Sequence, residues 1–365
     1  MIEVKLQAAL VHAGVNRASF LGEGAWHYAW KVCREEKKLV LRIPKAIAYG
    51  KSVSFDEEAF KAEYAGTELY YWAVNKAQKG AAPDFFKFHV SSELTYTLET
   101  FRGKQIDLHS MTEKAAFQIG SKVGSIQRKT EDVPHGLSGF GYLTWSEENG
   151  LKGTLNGDVH EFLKEESKEH LADYQTLCFA HPKFKDSVVS KALQLAVTSR
   201  KKAFTKPQLV NQDASPENIL IDENGLCLID PYPSIYYSRG MAGNFMNLYE
   251  TFFIALSDTP RYSRHQFSTC AAKLKLVAQG YITGYSAGNR QIASEVRGEQ
   301  LLQLLETAYS HFCLLSKDLA EETKIRYGSK EEIEARLPVF CEELKDLASS
   351  QIDELLYFKQ RNNLF

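Results

Sequence analysis

The sequence lacks the features of membrane-spanning and secreted proteins. No window of about 18 apolar residues occurs in the 365-residue chain, and its first seven residues do not form a basic-then-apolar leader. The six cysteines are scattered without a C-x-x-C pair, so nothing suggests a zinc site, and we expect reduced, mostly buried thiols. These absences favour a cytoplasmic protein without a membrane span.

The chain also lacks an excess of basic residues. Its formal net charge is −2, with 44 Lys and Arg against 46 Asp and Glu, so it offers no positive field for a nucleic acid. Internal repeats and low-complexity tracts are absent as well. A hydrophobic content of 44% and a charged content of 25% are typical of a globular protein, and the length suggests two structural units.

The secondary-structure patterns change near residue 102. Five predicted strands and a helix opened by a capping box at Ser54 precede this point, and Leu69 and Trp72 are expected on the core side of that helix. Apart from one hairpin and a Gly-rich excursion at 131–156, the rest has helical periodicity. We therefore predict an α+β fold, with a small antiparallel sheet and one helix in residues 1–102 and a mostly helical part in residues 103–365.

The strongest chemical signal lies in residues 209–230. Two apolar runs, 219–221 and 226–229, flank the turn former Asn224-Gly225 and predict a β-hairpin. Asp213 precedes Asn218 by five positions just before this hairpin, and Asp230 closes it. A magnesium-nucleotide kinase needs a carboxylate that orients the attacking hydroxyl, and a carboxamide and a carboxylate that hold the metal ions. The spacing matches the kinase catalytic loop and its metal-binding Asp.

An ordinary surface loop is the alternative interpretation of this stretch. Turns favour Asp and Asn for conformational reasons, and this explanation suffices for Asp222 and Asn224. It does not explain the spacing of the other three polar residues, for which we prefer the functional interpretation.

Upstream residues support a nucleotide site. Gly22 and Gly24 lie in a strand-to-strand turn, where backbone N–H groups can approach phosphates, although hairpin turns also carry glycine for conformational reasons alone. Arg42 follows on the third strand, where kinases place the cation that contacts the α- and β-phosphates. Glu63, with Glu58 as its rival, lies on the next helix, where the partner of that cation is expected.

With these residues the chain resembles the aminoglycoside phosphotransferase and choline kinase family, small-molecule kinases with a bilobal protein-kinase-like fold. The matching segments keep the order of the family and cover about residues 15–260. They are Leu21-Gly22-Glu23-Gly24, Leu39-Val40-Leu41-Arg42-Ile43-Pro44, Glu63, Leu98-Glu99-x-Phe101-x-Gly103, Asn211-x-Asp213-x-x-Pro216-x-Asn218-Ile219-Leu220 and Leu228-Ile229-Asp230-Pro231.

The resemblance implies a role for each matching residue. Asp213 would be the catalytic base, and Asn218 and Asp230 would be the Mg²⁺ ligands. Arg42, paired with Glu63, would contact the phosphates of ATP beside the turn of Gly22 and Gly24. The backbone of Glu99–Phe101 would form the hinge that bonds the adenine.

The sequence departs from the family pattern at three places. Asn211 stands where the family usually has a His that supports the loop, so we expect altered support rather than inactivity. Arg42 stands where Lys is usual; Arg keeps the charge and can bind phosphate bidentately. An acidic residue common in the helix after the metal-binding Asp is missing from residues 243–248, so substrate specificity cannot be transferred from the family.

We therefore expect an ATP-dependent phosphotransferase whose acceptor is a hydroxyl of a small molecule, such as an aminoglycoside, an amino alcohol or a sugar-like compound. One alternative is a catalytically weak kinase-like protein that binds a nucleotide or a partner; Asn211 favours it, whereas the intact trio of polar residues disfavours it. The other is a protein kinase. It is disfavoured because no activation segment is recognisable and because Pro231 stiffens the segment after Asp230.

Overall fold

A five-stranded antiparallel sheet forms where the alternating apolar residues predict it. The structure is a computed structural model that describes the backbone of residues 2–362 and the side chains of residues 2–352. The strands are β1 (Asn16–Glu23), β2 (His27–Arg34), β3 (Lys37–Pro44), β6 (Phe86–Val90) and β7 (Thr95–Thr100). They lie in the order β1-β2-β3-β7-β6, and two short strands, β4 (Ile47–Ala48) and β5 (Lys51–Ser52), pair separately.

Two helices accompany this sheet. Helix α1 (Ile2–Ala13) contributes Leu6 and Ala9 to a buried core with Trp30 and Leu41 of the sheet. Helix α2 (Glu57–Ala77) is capped by Asp56, whose side chain accepts a hydrogen bond from the N–H of Ala59 at 3.0 Å. The predicted capping box at Ser54 is therefore wrong by two residues, because the side chain of Asp56 accepts the hydrogen bond from the first turn of the helix.

Seven further strands form two small sheets. They are β8 (Lys104–Gln105), β9 (Phe140–Ser146), β10 (Gly150–Leu155), β11 (Gln208–Asn211), β12 (Ile219–Asp222), β13 (Gly225–Leu228) and β14 (Pro233–Tyr236). One sheet has the order β10-β9-β14-β11 and the other β13-β12-β8. The predicted hairpin at 219–229 is confirmed as β12 and β13, whereas the excursion at 131–156 contains an unpredicted hairpin of β9 and β10.

Contacts divide the chain into two compact units that do not follow a single boundary. The first contains the chain up to Ile106 together with Lys129–Asn156 and Gln208–Ile235, and the second contains the remaining segments. This differs from the predicted boundary at residue 102, because the chain returns twice to the first unit. Strand β12 pairs with β8, and β14 pairs with β9, and neither pairing leaves a local signal in the sequence.

The second unit is helical. Its helices are α3 (Glu113–Thr130), α4 (Val159–Ala180), α5 (Ser187–Ala203), α6 (Ser238–Asn247), α7 (Phe253–Ala255), α8 (Ala271–Ser286), α9 (Arg290–Leu315), α10 (Glu321–Tyr327) and α11 (Lys330–Asn362). Leu193, Leu301 and Phe340 lie in one buried core of this unit. A capping box opens α11, because Ser329 and Glu332 exchange backbone-to-side-chain hydrogen bonds. Within residues 2–362, no helix combines the length and apolar character needed to cross a bilayer.

Four glycines let α3 and α8 approach closely. A Cβ atom on Gly120 would lie 1.9 Å from the carbonyl oxygen of Val277, and one on Gly124 would lie 2.1 Å from that of Tyr281. The same holds from the other side, since a Cβ atom on Gly280 would lie 2.0 Å from the carbonyl oxygen of Phe117, and one on Gly284 would lie 1.9 Å from that of Ser121. Both helices thus carry glycine four residues apart on the contact face.

We predict that Gly120→Ala destabilises the protein by about 3 kcal/mol, because the added methyl group forces two backbones apart. Gly298→Ala in α9 is the matched control, since the added Cβ would meet only Ala196 of α5, at an ordinary contact distance of 3.4 Å. There, higher helix propensity should leave stability unchanged or raise it by up to about 1 kcal/mol. Urea unfolding measures both variants, and equal effects would contradict the close packing.

Candidate active site

The loop between β11 and β12 carries two of the predicted site residues. It runs from Asn211 through Asp213 to a single 3-10 turn, Pro216–Asn218, and continues directly into β12. The carboxamide of Asn211 supports this loop: its Oδ1 accepts from the N–H groups of Asp213 at 3.0 Å and Tyr232 at 2.8 Å. Its Nδ2 donates to the carbonyl oxygen of Asp213 at 2.9 Å. Asn211 thus holds the loop in place through these three hydrogen bonds, as expected for the residue at this position.

Asp213 lies exposed at the tip of the loop. Its Oδ1 accepts a hydrogen bond from the N–H of Ser215 at 3.3 Å. Loss of hydration and the negative charge of Asp230 raise the pKa of Asp213, and the hydrogen bonds from Ser215 oppose the shift. A carboxylate with a raised pKa is a better proton acceptor than an ordinary Asp.

Asn218 and Asp230 meet at the base of the β12–β13 hairpin. The Nδ2 of Asn218 donates to the carbonyl oxygen of Asp230 at 3.3 Å, and the N–H of Ile229 donates to the carbonyl oxygen of Asn218 at 3.0 Å. This arrangement leaves the Oδ1 of Asn218 without a hydrogen bond from the described residues. The side chain of Asp230 is 58% exposed, whereas Asn218 is buried, so solvent reaches the carboxylate more readily than the carboxamide.

These two residues fit a magnesium ion. Mg²⁺ prefers hard oxygen ligands and is usually held by one or two protein groups together with phosphate oxygens and water. A carboxamide oxygen and a carboxylate supply that kind of partial ligand set. In the part of the chain that the structure describes, no cluster of three or more His, Cys, Asp or Glu could bind a metal on its own.

Arg42 is shared by two carboxylates. Its Nε and Nη2 donate to Oε1 of Glu99 at 3.1 and 2.8 Å, and its Nη1 lies 2.8 Å from Oδ1 of Asp230. The prediction that Arg42 pairs with Glu63 is therefore wrong, since neither Glu63 nor Glu58 forms an ion pair with it. The physical reason is register: Glu99 is buried on β7, which is paired directly with β3.

Glu63 lies instead beside a cavity of about 400 Å³. The cavity is lined by Asp56, Glu58, Ala59, Ala62, Glu63, Leu143, Thr144, Thr154, Tyr232 and Pro233. Loss of hydration, followed by the charge of Asp230, raises the pKa of Glu63 from 4.5 to about 7, and Arg42 opposes the shift. Glu63 is thus close enough to Arg42 for the charge of Arg42 to affect its pKa, but the two residues form no ion pair.

Residues Gly22 and Arg42 lie in one row across the sheet. Gly22 pairs with Ala29, Ala29 pairs with Arg42, and Arg42 pairs with Thr97. Because neighbouring strands are about 4.8 Å apart, Gly22 lies about 10 Å from Arg42. The turn after β1 is closed by the N–H of Gly24, which donates to the carbonyl oxygen of His27 at 2.9 Å. The glycine turn and the cation therefore belong to one surface of the same sheet.

The predicted hinge is not where the sequence places it. Glu99 lies in β7, between Val40 of β3 and Phe86 of β6, so its backbone is part of the sheet. The N–H of Phe101 donates to the carbonyl oxygen of Lys38 at 3.1 Å. The assignment of Glu99 to adenine binding through its backbone is therefore wrong for this structure, and the backbone leaves the sheet only at residues 101–103.

Three residues of the site escaped the sequence analysis. Tyr71 donates its hydroxyl to Glu99 and accepts the N–H of Asp230, both at 3.0 Å. The sequence analysis placed Trp72 on the core side of α2, but Trp72 is 45% exposed and the neighbouring Tyr71 is buried instead. His27 and Lys45 flank Arg42: burial lowers the pKa of His27 to about 4, and the charges of Arg42 and Lys45 act in the same direction. None of them belongs to a sequence motif.

Comparisons with known proteins identify the fold. No protein-family model matches the chain, and no curated protein matches it. Among solved structures, a thermostable mutant of aminoglycoside phosphotransferase APH(4)-Ia with ADP and hygromycin B has a TM-score of 0.53 at 15% identity, covering 94% of this chain and 98% of that chain. APH(4)-Ia itself gives a TM-score of 0.52 at 15% identity, covering 94% and 99%. At this identity the likeness concerns the fold, and it confirms the predicted α+β protein-kinase-like fold.

We predict that Glu63→Gln stabilises the protein at pH 8 and has little effect at pH 4. The folded-state pKa of Glu63 is raised, so its contribution to stability is present below pH 4.5 and is lost as the pH rises through about 7. Solvent reaches this side chain, so we expect a gain of only about 1 kcal/mol.

Urea unfolding at the two pH values measures this effect. Glu58→Gln, on the same helix and beside the same cavity, is the control. Equal gains for the two variants, or a gain for Glu63→Gln at pH 4 as large as that at pH 8, would contradict the assignment.

Proposed function

We propose that this protein is an ATP-dependent phosphotransferase that moves the γ-phosphate to a hydroxyl of a small molecule. The observation that carries the proposal is the meeting of Asn218 and Asp230 at the base of one hairpin, with Asp213 on the adjoining loop and Arg42 bonded to Asp230. A phosphoryl transfer requires this combination of proton acceptor, metal ligands and phosphate-binding cation.

Each residue has a distinct task in this proposal. Asp213 orients the acceptor hydroxyl and accepts its proton, which its raised pKa supports. Arg42 contacts the phosphates from β3, and Gly22 and Gly24 bring backbone N–H groups toward them from the turn after β1. Asn218 and Asp230 hold Mg²⁺, which when bound neutralises charge on the phosphate oxygens. Most of the rate acceleration then comes from positioning and electrostatics.

ATP is the proposed phosphate donor. The related solved structures support it, since APH(4)-Ia was solved with ADP and, in another crystal structure, with AMP-PNP, both in ternary complexes with hygromycin B. The acceptor is proposed only as a class: an aminoglycoside, an amino alcohol or a sugar-like compound. A thermal-shift screen of such compounds with a non-hydrolysable nucleotide identifies it, because a ligand that binds the folded state raises its Tm.

We predict that Asp213→Ala lowers kcat by about 10²–10⁴-fold while leaving the Kd of ATP within about threefold of wild type, since a general base contributes that much to rate. The pH profile of the wild type should fall on the acidic side, with a midpoint above the ordinary Asp pKa of 3.8, because protonated Asp213 cannot accept a proton.

Glu223→Gln is the control, because Glu223 is an exposed acid in the turn of the same hairpin. Steady-state kinetics and calorimetric titration with ATP and Mg²⁺ measure both variants. Nucleotide binding without turnover by the wild type would instead identify a kinase-like binding protein, and unchanged kcat in Asp213→Ala would refute the assigned base.

A further inference from the structure

We propose that Tyr71 is the positioning residue for Asp230, and that its phenol links helix α2 to the metal-binding segment in place of a helix carboxylate. This inference rests on the proposed function for its consequence, since Asp230 is the proposed metal ligand. Its structural part stands on the hydrogen bonds of Tyr71 alone.

Asp230 adopts a backbone conformation that needs external support. Its φ is +49°, in the left-handed region that residues other than glycine seldom adopt. The following Pro231 restricts its backbone further. A residue in such a conformation persists only when its surroundings hold it. The supports are therefore as important to the metal site as the carboxylate itself.

Tyr71 supplies the support at the backbone nitrogen. The N–H of Asp230 donates to the hydroxyl oxygen of Tyr71 at 3.0 Å, and the hydroxyl donates its own hydrogen to Oε2 of Glu99, also at 3.0 Å. The bond to the Glu99 carboxylate fixes the direction of the phenol hydrogen, which leaves a lone pair facing Asp230. Tyr71 is 3% exposed and packs edge-on against Phe86, so its ring cannot turn away.

The contacts close a ring of four residues. Tyr71 bonds Glu99, Glu99 accepts from Arg42, Arg42 pairs with Asp230, and the backbone of Asp230 returns to Tyr71. Helix α2 enters this ring only through Tyr71, since Glu63 takes no part in it. Movement of α2 would therefore reach the metal ligand through the phenol, which bonds both the backbone of Asp230 and the carboxylate of Glu99.

The direct test compares Tyr71→Phe with Tyr70→Phe. Tyr70 is the adjacent, equally buried tyrosine of α2, with no bond to Asp230, so its variant reports the cost of losing a buried hydroxyl. We expect Tyr71→Phe to weaken the binding of ADP in the presence of Mg²⁺ by about tenfold or more, because partners of metal ligands typically contribute that much. Binding of ADP without metal should stay within about twofold.

A second measurement does not depend on nucleotide. Hydrogen–deuterium exchange over residues 226–232 should be faster in Tyr71→Phe than in Tyr70→Phe, because the N–H of Asp230 loses its acceptor. Faster exchange together with weaker binding of the Mg²⁺ complex supports the proposal. Equal behaviour of the two variants in both measurements would overturn it.

The outcomes also separate this inference from the proposed function. If the wild type binds neither ADP nor its Mg²⁺ complex, the proposed function fails, and the exchange measurement alone decides whether Tyr71 holds Asp230. If the wild type binds and turns over normally but Tyr71→Phe matches Tyr70→Phe, the function stands and the positioning role of Tyr71 fails.

Discussion

The hydrogen bonds and the ion pair that hold Asp230 are the constraint on which the rest of the candidate site depends. Tyr71 binds its N–H, Asn218 binds its carbonyl oxygen, and Arg42 binds its carboxylate. Three different parts of the first unit therefore converge on one strained residue. A left-handed backbone that is held at every polar group keeps its carboxylate in one direction without a bound ligand.

Arg42 gives this arrangement its charge balance. It lies between the buried carboxylate of Glu99 and the exposed carboxylate of Asp230, and its own side chain is only 15% exposed. A buried carboxylate needs such a partner, because an unpaired charge in the interior is costly.

Local sequence signals predicted the parts of the site that lie close together in the chain. The turn former at Asn224 and Gly225 sets the register of β12 and β13, which places Asn218 beside the end of the hairpin at Asp230. Predictions that required one distant segment to meet another were wrong or incomplete. Arg42 pairs with Glu99 rather than Glu63, and the chain returns to the first unit at 129–156 and 208–235.

Local patterns in the sequence were enough to predict the five-stranded sheet and the β12–β13 hairpin, because apolar periodicity and turn chemistry act over a few residues. The kinase-like fold was implied by the resemblance to small-molecule kinases. The choice of Glu99 as the partner of Arg42, and the position of Tyr71 beside the backbone of Asp230, became known only from the folded chain. Those choices depend on the pairing of β3 with β7 and on the rotation of α2, by which Tyr71 rather than Trp72 is buried. Such pairings depend on packing between segments that are far apart in the chain, and local sequence patterns do not predict that packing.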